Sequence, residues 1–182
     1  MKLTEKIVSS KVIFRGDLFT ISTLFVTLPD GRRVTREVAA RRPSVSIVAV
    51  DQTNSVILLR EFRGGIKRTV WRLPGGMVDG HRTPLNTARH ELRQEAGYRA
   101  TRWFKLFEKS GGGSWHWPRY FYLARGLTRQ PLPPDLDERF EIKRMPLIRA
   151  LRLVIKNQFE SSDDGLAILE ACKIIYPRRR LL

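Results

Sequence analysis

Two glutamates and a glycine turn form the strongest chemical pattern in this 182-residue sequence. The stretch GGMVDGHRTPLNTARHELRQEAGY, Gly75 to Tyr98, joins a glycine pair to a helix that carries Glu91 and Glu95. Side chains at i and i+4 share a helix face, so the two carboxylates stack. A carboxylate pair behind a glycine-rich turn suits the handling of a phosphate-bound metal, although a solvated helix face has the same spacing. Gln94 lies beside the pair and Arg82 precedes the helix, at two positions where further acid would strengthen such a site.

The elements that must position these groups are legible from pattern. Thr83 is an N-cap, Pro84 stands at the first helical position, and Gly97 closes the helix. Leu85, Ala88, Leu92 and Ala96 fall at helical spacing and predict the buried face. Upstream, LFTISTLFVTLPDGRRVTREVAA holds two strand-like runs about Asp30-Gly31, a strong hairpin signal. SVSIVAV, SVILLREF and VWRLPGG predict further strands, with DQTN as a polar turn. Downstream, ATRWFKLFEK is a strand, SGGGSWHWP a loop and RYFYLARGL a strand. RQPLPPDLDE is a proline-rich surface connection, FEIKRMPL returns to the sheet, and PLIRALRLVIKN and DDGLAILEACKIIY are helices. This order of elements predicts an α+β sandwich rather than a doubly wound parallel sheet.

Composition bounds the function. With 42% hydrophobic residues the chain can bury a real core. No stretch approaches the roughly 18–20 uninterrupted apolar residues of a membrane span, and the start MKLTEKIVSSKVIFRGD lacks the apolar block of a secretory signal. The one cysteine, Cys172, excludes an internal disulfide and reads as a small buried apolar residue. A cytoplasmic protein without membrane association is expected. The net charge of +16 favours anionic partners, from nucleotides and phosphorylated sugars to RNA, and also fits a solvated basic surface.

In frame, these residues resemble the Nudix hydrolase signature: Gly, five residues, Glu, seven residues, then Arg-Glu-apolar-x-Glu-Glu-x-Gly-apolar. Gly76, Glu91, Leu92, Glu95, Gly97 and Tyr98 match without a gap, while Arg82, His90 and Gln94 depart. REFRGGIKRTVWRLPGG and MPLIRALRLVIKNQFESSDDGLAILEA are similar to the ADP-ribose and nucleoside-diphosphate-sugar pyrophosphatase branch, so the resemblance covers nearly the whole chain. It implies a Nudix-type α/β/α sandwich with a mixed sheet. Residues 1–42 would be an N-terminal antiparallel β region, which in this branch helps build a homodimer, and residues 43–182 the main domain. It implies cleavage of a nucleoside diphosphate linked to another moiety, with Mg²⁺ or Mn²⁺ held by Glu91, Glu95 and the carbonyl of Gly75, helped by Gln94. The metal-activated water attacks phosphorus.

The resemblance also assigns roles outside the box. His116 stands where the branch places a loop glutamate that completes the metal site or acts as base, and imidazole can serve as a base. Trp115 and Trp117 are candidates for stacking on base or sugar, and Arg36, Arg60 and Arg63 for phosphate contact. Arg72 stands where the branch often has Glu, which suggests a more positive pocket. Gly111 replaces a proline that accompanies ADP-ribose preference in the family. The acid losses leave open a second reading: a fold that has lost efficient hydrolysis and binds nucleotide, RNA or a protein partner.

Overall fold

The computed structural model describes residues 3–133, 135 and 139–177. The basic Arg178–Arg180 cluster and part of the proline-rich connection lie outside them. The chain divides into two compact units, Met1–Pro43 with Lys109–Arg119, and Ser44–Glu108 with Tyr120–Leu182.

The first unit is a meander of β1 (Lys6–Arg15), β2 (Phe19–Thr27) and β3 (Arg33–Arg41). β2 and β3 pair antiparallel from Phe19↔Arg41 to Thr27↔Arg33, so the turn falls where Asp30-Gly31 predicts it. Gly31 takes φ +87°, a left-handed conformation that glycine adopts without strain. Asp30 fixes the same turn by accepting from the Arg32 amide at 3.1 Å. β1 pairs only through β2 among the described strands, and all ten of its residues are exposed.

The glycine-rich stretch expected as a loop is instead the tip of a hairpin between β7 (Tyr98–Gly112) and β8 (Trp115–Arg129). Gly111 and Gly113 take φ +93° and +57°, which turns the chain within a two-residue connection. A Cβ at Gly111 would overlap the Trp115 carbonyl oxygen, so glycine is what permits this close approach. The glycines suggested an irregular loop; the β-forming aromatics beside them decide the outcome. Trp115 and His116 then pair in parallel with Ala39 and Ala40 of β3, which makes the sheet mixed.

In the second unit β8 neighbours β4 (Ser44–Val50), which neighbours β5 (Ser55–Arg63) and then β6 (Arg68–Arg72); β7 pairs with β8 and β9 (Phe140–Pro146) with β5. Every residue of β4 is buried, as expected for a strand covered on both faces. Alternation divides it: Val45, Ile47 and Ala49 face α1 (Pro84–Glu95) with Ala88 and Leu92. Val48 and Val50 face the other way, with Val56, Leu58 and Phe121, onto α2 (Leu147–Ile155) and α3 (Ser162–Ile175). Two cores on one sheet are the expected α/β/α sandwich. Cys172 lies in the second core, fully buried. No helix is long and apolar enough to cross a membrane among the described residues.

Candidate functional site

Between β6 and α1 the chain makes a turn that leaves no room for a side chain at Gly75 and little at Gly76. Pro74 and Gly76 accept from the amides of Ile47 and Val45 at 2.8 and 2.9 Å, extending the sheet past β6. A Cβ at Gly75 would overlap the Val45 carbonyl oxygen, and one at Gly76 would stand 2.5 Å from Glu91 Oε1. The glycines thus bring the backbone against β4 on one side and the Glu91 carboxylate against the turn on the other.

α1 begins as its sequence predicts: Thr83 accepts from the Asn86 amide at 3.3 Å and Pro84 opens the first turn. Gly97 follows the helix at φ +78°. The buried residues of α1 are Thr87, Ala88, Leu92 and Glu95. Glu95, expected on a carboxylate-bearing face beside Glu91, is 2% exposed, whereas Glu91 is half-buried.

A carboxylate so buried needs partners. Glu95 Oε2 accepts from the Gly75 amide at 2.6 Å, and Oε1 accepts from Arg72 Nη2 at 2.7 Å. Arg72, 5% exposed, also donates from Nε to Glu61 Oε2, and its guanidinium lies over the Phe140 ring. Burial disfavours the Arg72 charge, but the charges and hydrogen bonds of Glu95 and Glu61 outweigh it and raise its pKa above that of ordinary arginine. Glu61 Oε1 in turn accepts from Arg63 at 2.8 Å, and Arg63 pairs with Glu160 at 2.9 Å. Arg72, expected to make the pocket more positive, has its own charge set between two carboxylates.

Similarity to known proteins decides what this turn and helix belong to. A model of the NUDIX domain matches residues 40–163. The chain belongs to the NUDIX family. An ADP-ribose pyrophosphatase of Mycobacterium tuberculosis is 31% identical over 160 residues, covering 85% of this chain and 77% of that protein. An ADP-ribose pyrophosphatase of Bacillus subtilis is 29% identical over 170 residues, 91% of each chain. A solved structure described as an ADP compounds hydrolase superposes with a TM-score of 0.86 at 22% identity, covering 99% of each chain, a likeness of fold. Both relatives are named for cleavage of the diphosphate of ADP-ribose.

Within the NUDIX site the remaining box positions are placed as follows. Gln94 turns its amide to Asp135, donating to Oδ1 at 2.6 Å. Arg82 is exposed and pairs with Asp79 at 2.7 Å, a local contact at the entry to α1. His90 is half-buried on the helix. Among the described residues no three His, Cys, Asp or Glu side chains converge in a metal-holding arrangement. The oxygen atoms gathered at the glycine turn are those of the Glu91 and Glu95 carboxylates and of the turn's own carbonyls.

The predicted arginines go to different places. Arg63 belongs to the ion-pair network, while Arg60 is exposed, 3.9 Å from Glu141 and beside the Trp71 ring. In the first unit, Arg36 pairs with Glu5 at 2.8 Å. There Trp115 packs on Phe19 at 5.4 Å and edge-on to Trp117 at 6.3 Å. Arg41 and Arg119 lie over the Trp117 ring, at 4.4 and 4.6 Å from its centroid. His116 is exposed between the two tryptophans.

Several structural contributors were not read from the sequence. Glu61, Glu160 and Arg41 lie in strands or connections with no local motif. Asp164, in the first turn of α3, accepts from Ser46 Oγ at 3.3 Å and the Leu73 amide at 3.4 Å, tying that helix to the strand before the turn. The acid in the first turn of α3 is the signal that could have drawn attention to it.

Proposed function

We propose that the protein cleaves the diphosphate of an ADP-ribose-type or nucleotide-sugar-type molecule, with Mg²⁺ or Mn²⁺ held by Glu91, Glu95 and the carbonyl of Gly75. The observation that carries this reading is the contact of both α1 carboxylates with one glycine turn: Glu95 on the Gly75 amide and Glu91 against Gly76. An all-oxygen set of this kind fits a hard divalent cation. Such an ion, when bound, offsets diphosphate charge and lowers the pKa of a water that attacks phosphorus. Gln94 contributes at most a neutral oxygen and leaves the site with one charge fewer.

Arg60 and Arg63 are the phosphate contacts in this reading. His116 is the base. The adenosine preference is supported by the names of two similar proteins, both ADP-ribose pyrophosphatases. The enzyme acts as a homodimer: Ile7, Val8, Val12, Ile13 and Phe14 on β1 are between 47% and 62% exposed, an apolar edge that a second copy would cover.

One assay tests the reading. Purified protein with Mg²⁺ or Mn²⁺ is given ADP-ribose, nucleotide sugars and dinucleoside polyphosphates, beside Glu95→Gln. Turnover of an ADP-ribose-type compound that the substitution abolishes is the expected result. No turnover on any substrate, with salt-sensitive binding of nucleotide or RNA, would sink it and favour the binding module that the basic charge of +16 also fits.

A further inference from the structure

Glu95 ends a series of ion pairs that runs from solvent into the sheet. Glu160, just before the Ser161 cap of α3, pairs with Arg63; Arg63 pairs with Glu61; Arg72 bridges Glu61 and Glu95. Side-chain exposure along this series is 33%, 37%, 14%, 6% and 1%. The signs alternate at every step, so each charge inside the series lies between two of the opposite sign. The arginines of α1 are engaged elsewhere: Arg89 donates to Asn86 at 3.0 Å and Arg93 to the Gln130 carbonyl at 3.2 Å. The arginine that bonds Glu95 belongs to a strand, at the end of β6.

We propose that Arg72 is the positioning residue for Glu95, with Glu61 and Arg63 fixing Arg72 in turn. The inference rests on the reading of Glu91 and Glu95 as metal ligands. A glutamate at the last turn of a helix has three side-chain torsions to fix, and a lone carboxylate buried there would be poorly tolerated. The planar guanidinium presents Nη2 to Glu95 and Nε to Glu61, two directions fixed by one rigid group. This directs Glu95 onto the Gly75 amide at 2.6 Å, so the carboxylate stands in place before any metal arrives. Arg72 acts through Glu95 and holds its position from outside the ligand set, as groups behind metal ligands do.

The Gly75 amide reports the position of Glu95 without reference to turnover. In ¹⁵N-labelled, metal-free protein, exchange of that amide is followed by NMR for wild type, Arg72→Lys, Arg72→Gln, Glu61→Gln and Glu160→Gln. Mn²⁺ affinity is measured on the same samples from the free-ion spectrum. The expected result is a graded loss. Arg72→Gln loses about 10–100-fold in Mn²⁺ affinity, with Arg72→Lys and Glu61→Gln intermediate and Glu160→Gln near wild type. Gly75 exchange quickens in the same order. If Arg72→Gln does not fold, Arg72→Lys and Glu61→Gln decide alone. Wild-type amide protection and wild-type Mn²⁺ affinity in folded Arg72→Lys and Glu61→Gln would overturn the proposal. Absence of Mn²⁺ uptake by the wild type would instead overturn the ligand reading, and the Gly75 exchange series would still judge the hold of Arg72.

Discussion

Arg72 and Glu95 meet at 2.7 Å, Nη2 to Oε1, with both side chains almost sealed from solvent. One residue ends β6 and the other ends α1, so this pair closes the turn that contains Gly75 and Gly76. A sequence that lost acid at Arg82 and Gln94 and took up a base at Arg72 reads as progressively more positive. In the fold the three do different things: Arg82 serves the helix entry, Gln94 bonds Asp135, and Arg72 neutralises what is buried.

Removing Arg72 costs stability as well as position. In Arg72→Ala, Glu95 and Glu61 both lose a guanidinium partner in largely buried settings. Breaking one side of a buried ion pair destabilises by about 3–5 kcal/mol. Urea unfolding followed by far-ultraviolet circular dichroism should place the loss in that range. A loss under about 1 kcal/mol would mean that water reaches the carboxylates and the network is a surface one.

The two turn glycines should separate stability from chemistry. Gly75→Ala drives a methyl into the backbone of Val45, which cannot move aside, so a cost of about 1–3 kcal/mol is expected. Gly76→Ala meets only the end of the Glu91 side chain, which can swing away. Its melting temperature should stay near wild type while activity falls about 10–100-fold, the loss that the proposed ligand role of Glu91 requires. Melting curves and kcat/KM on the same preparations check both; equal effects of the two substitutions on stability would contradict the assigned contacts.

What the sequence disclosed follows from range. Thr83, Pro84 and Gly97 act within a turn of their own positions, and so do Asp30 and Gly31; these were legible. The strand at SVSIVAV and the apolar spacing of α1 were legible too, the second because one buried helix face imposes a period. The ion pairs were not: Arg72 bonds a residue 23 positions away and Arg63 one 97 away, and no local pattern encodes such a partner. The hairpin tip at Gly111 was misread because glycine marks both loops and tight turns. Gln94 kept its place in the motif, but its hydrogen bond runs to Asp135, in a connection whose course has no periodic signal.

Cys172 should be chemically silent in the native protein. It sits fully buried in the core between the sheet and α3, and burial pushes its thiol up to about 11. At pH 8 it should leave a disulfide reagent such as DTNB untouched, then react once per chain as urea unfolds the protein. The thiol-release midpoint should coincide with the circular dichroism midpoint. Fast reaction before unfolding would show that this core opens locally.

Acid should weaken the turn between β4 and β5 through Asp51. Its Oδ1 accepts from the amides of Thr53 and Ser55 at 2.8 and 3.0 Å and from the Thr53 hydroxyl at 2.8 Å, and Oδ2 pairs with Arg144. Burial pushes the Asp51 pKa upward, but these hydrogen bonds and Arg144 outweigh it, so the group titrates below the ordinary value of 3.8. A carboxylate with a lowered folded-state pKa contributes stability that is fully present above its unfolded pKa, about 3.9. That contribution is lost as pH falls through the lower, folded value. Asp51→Ala should therefore cost about 1–3 kcal/mol at pH 6, chiefly from the amides and hydroxyl left without their acceptor. The gap between the wild-type and Asp51→Ala urea midpoints should shrink as pH is lowered from 5 to about 2.5. A gap that stays constant over that range would mean that the carboxylate charge contributes nothing to the turn.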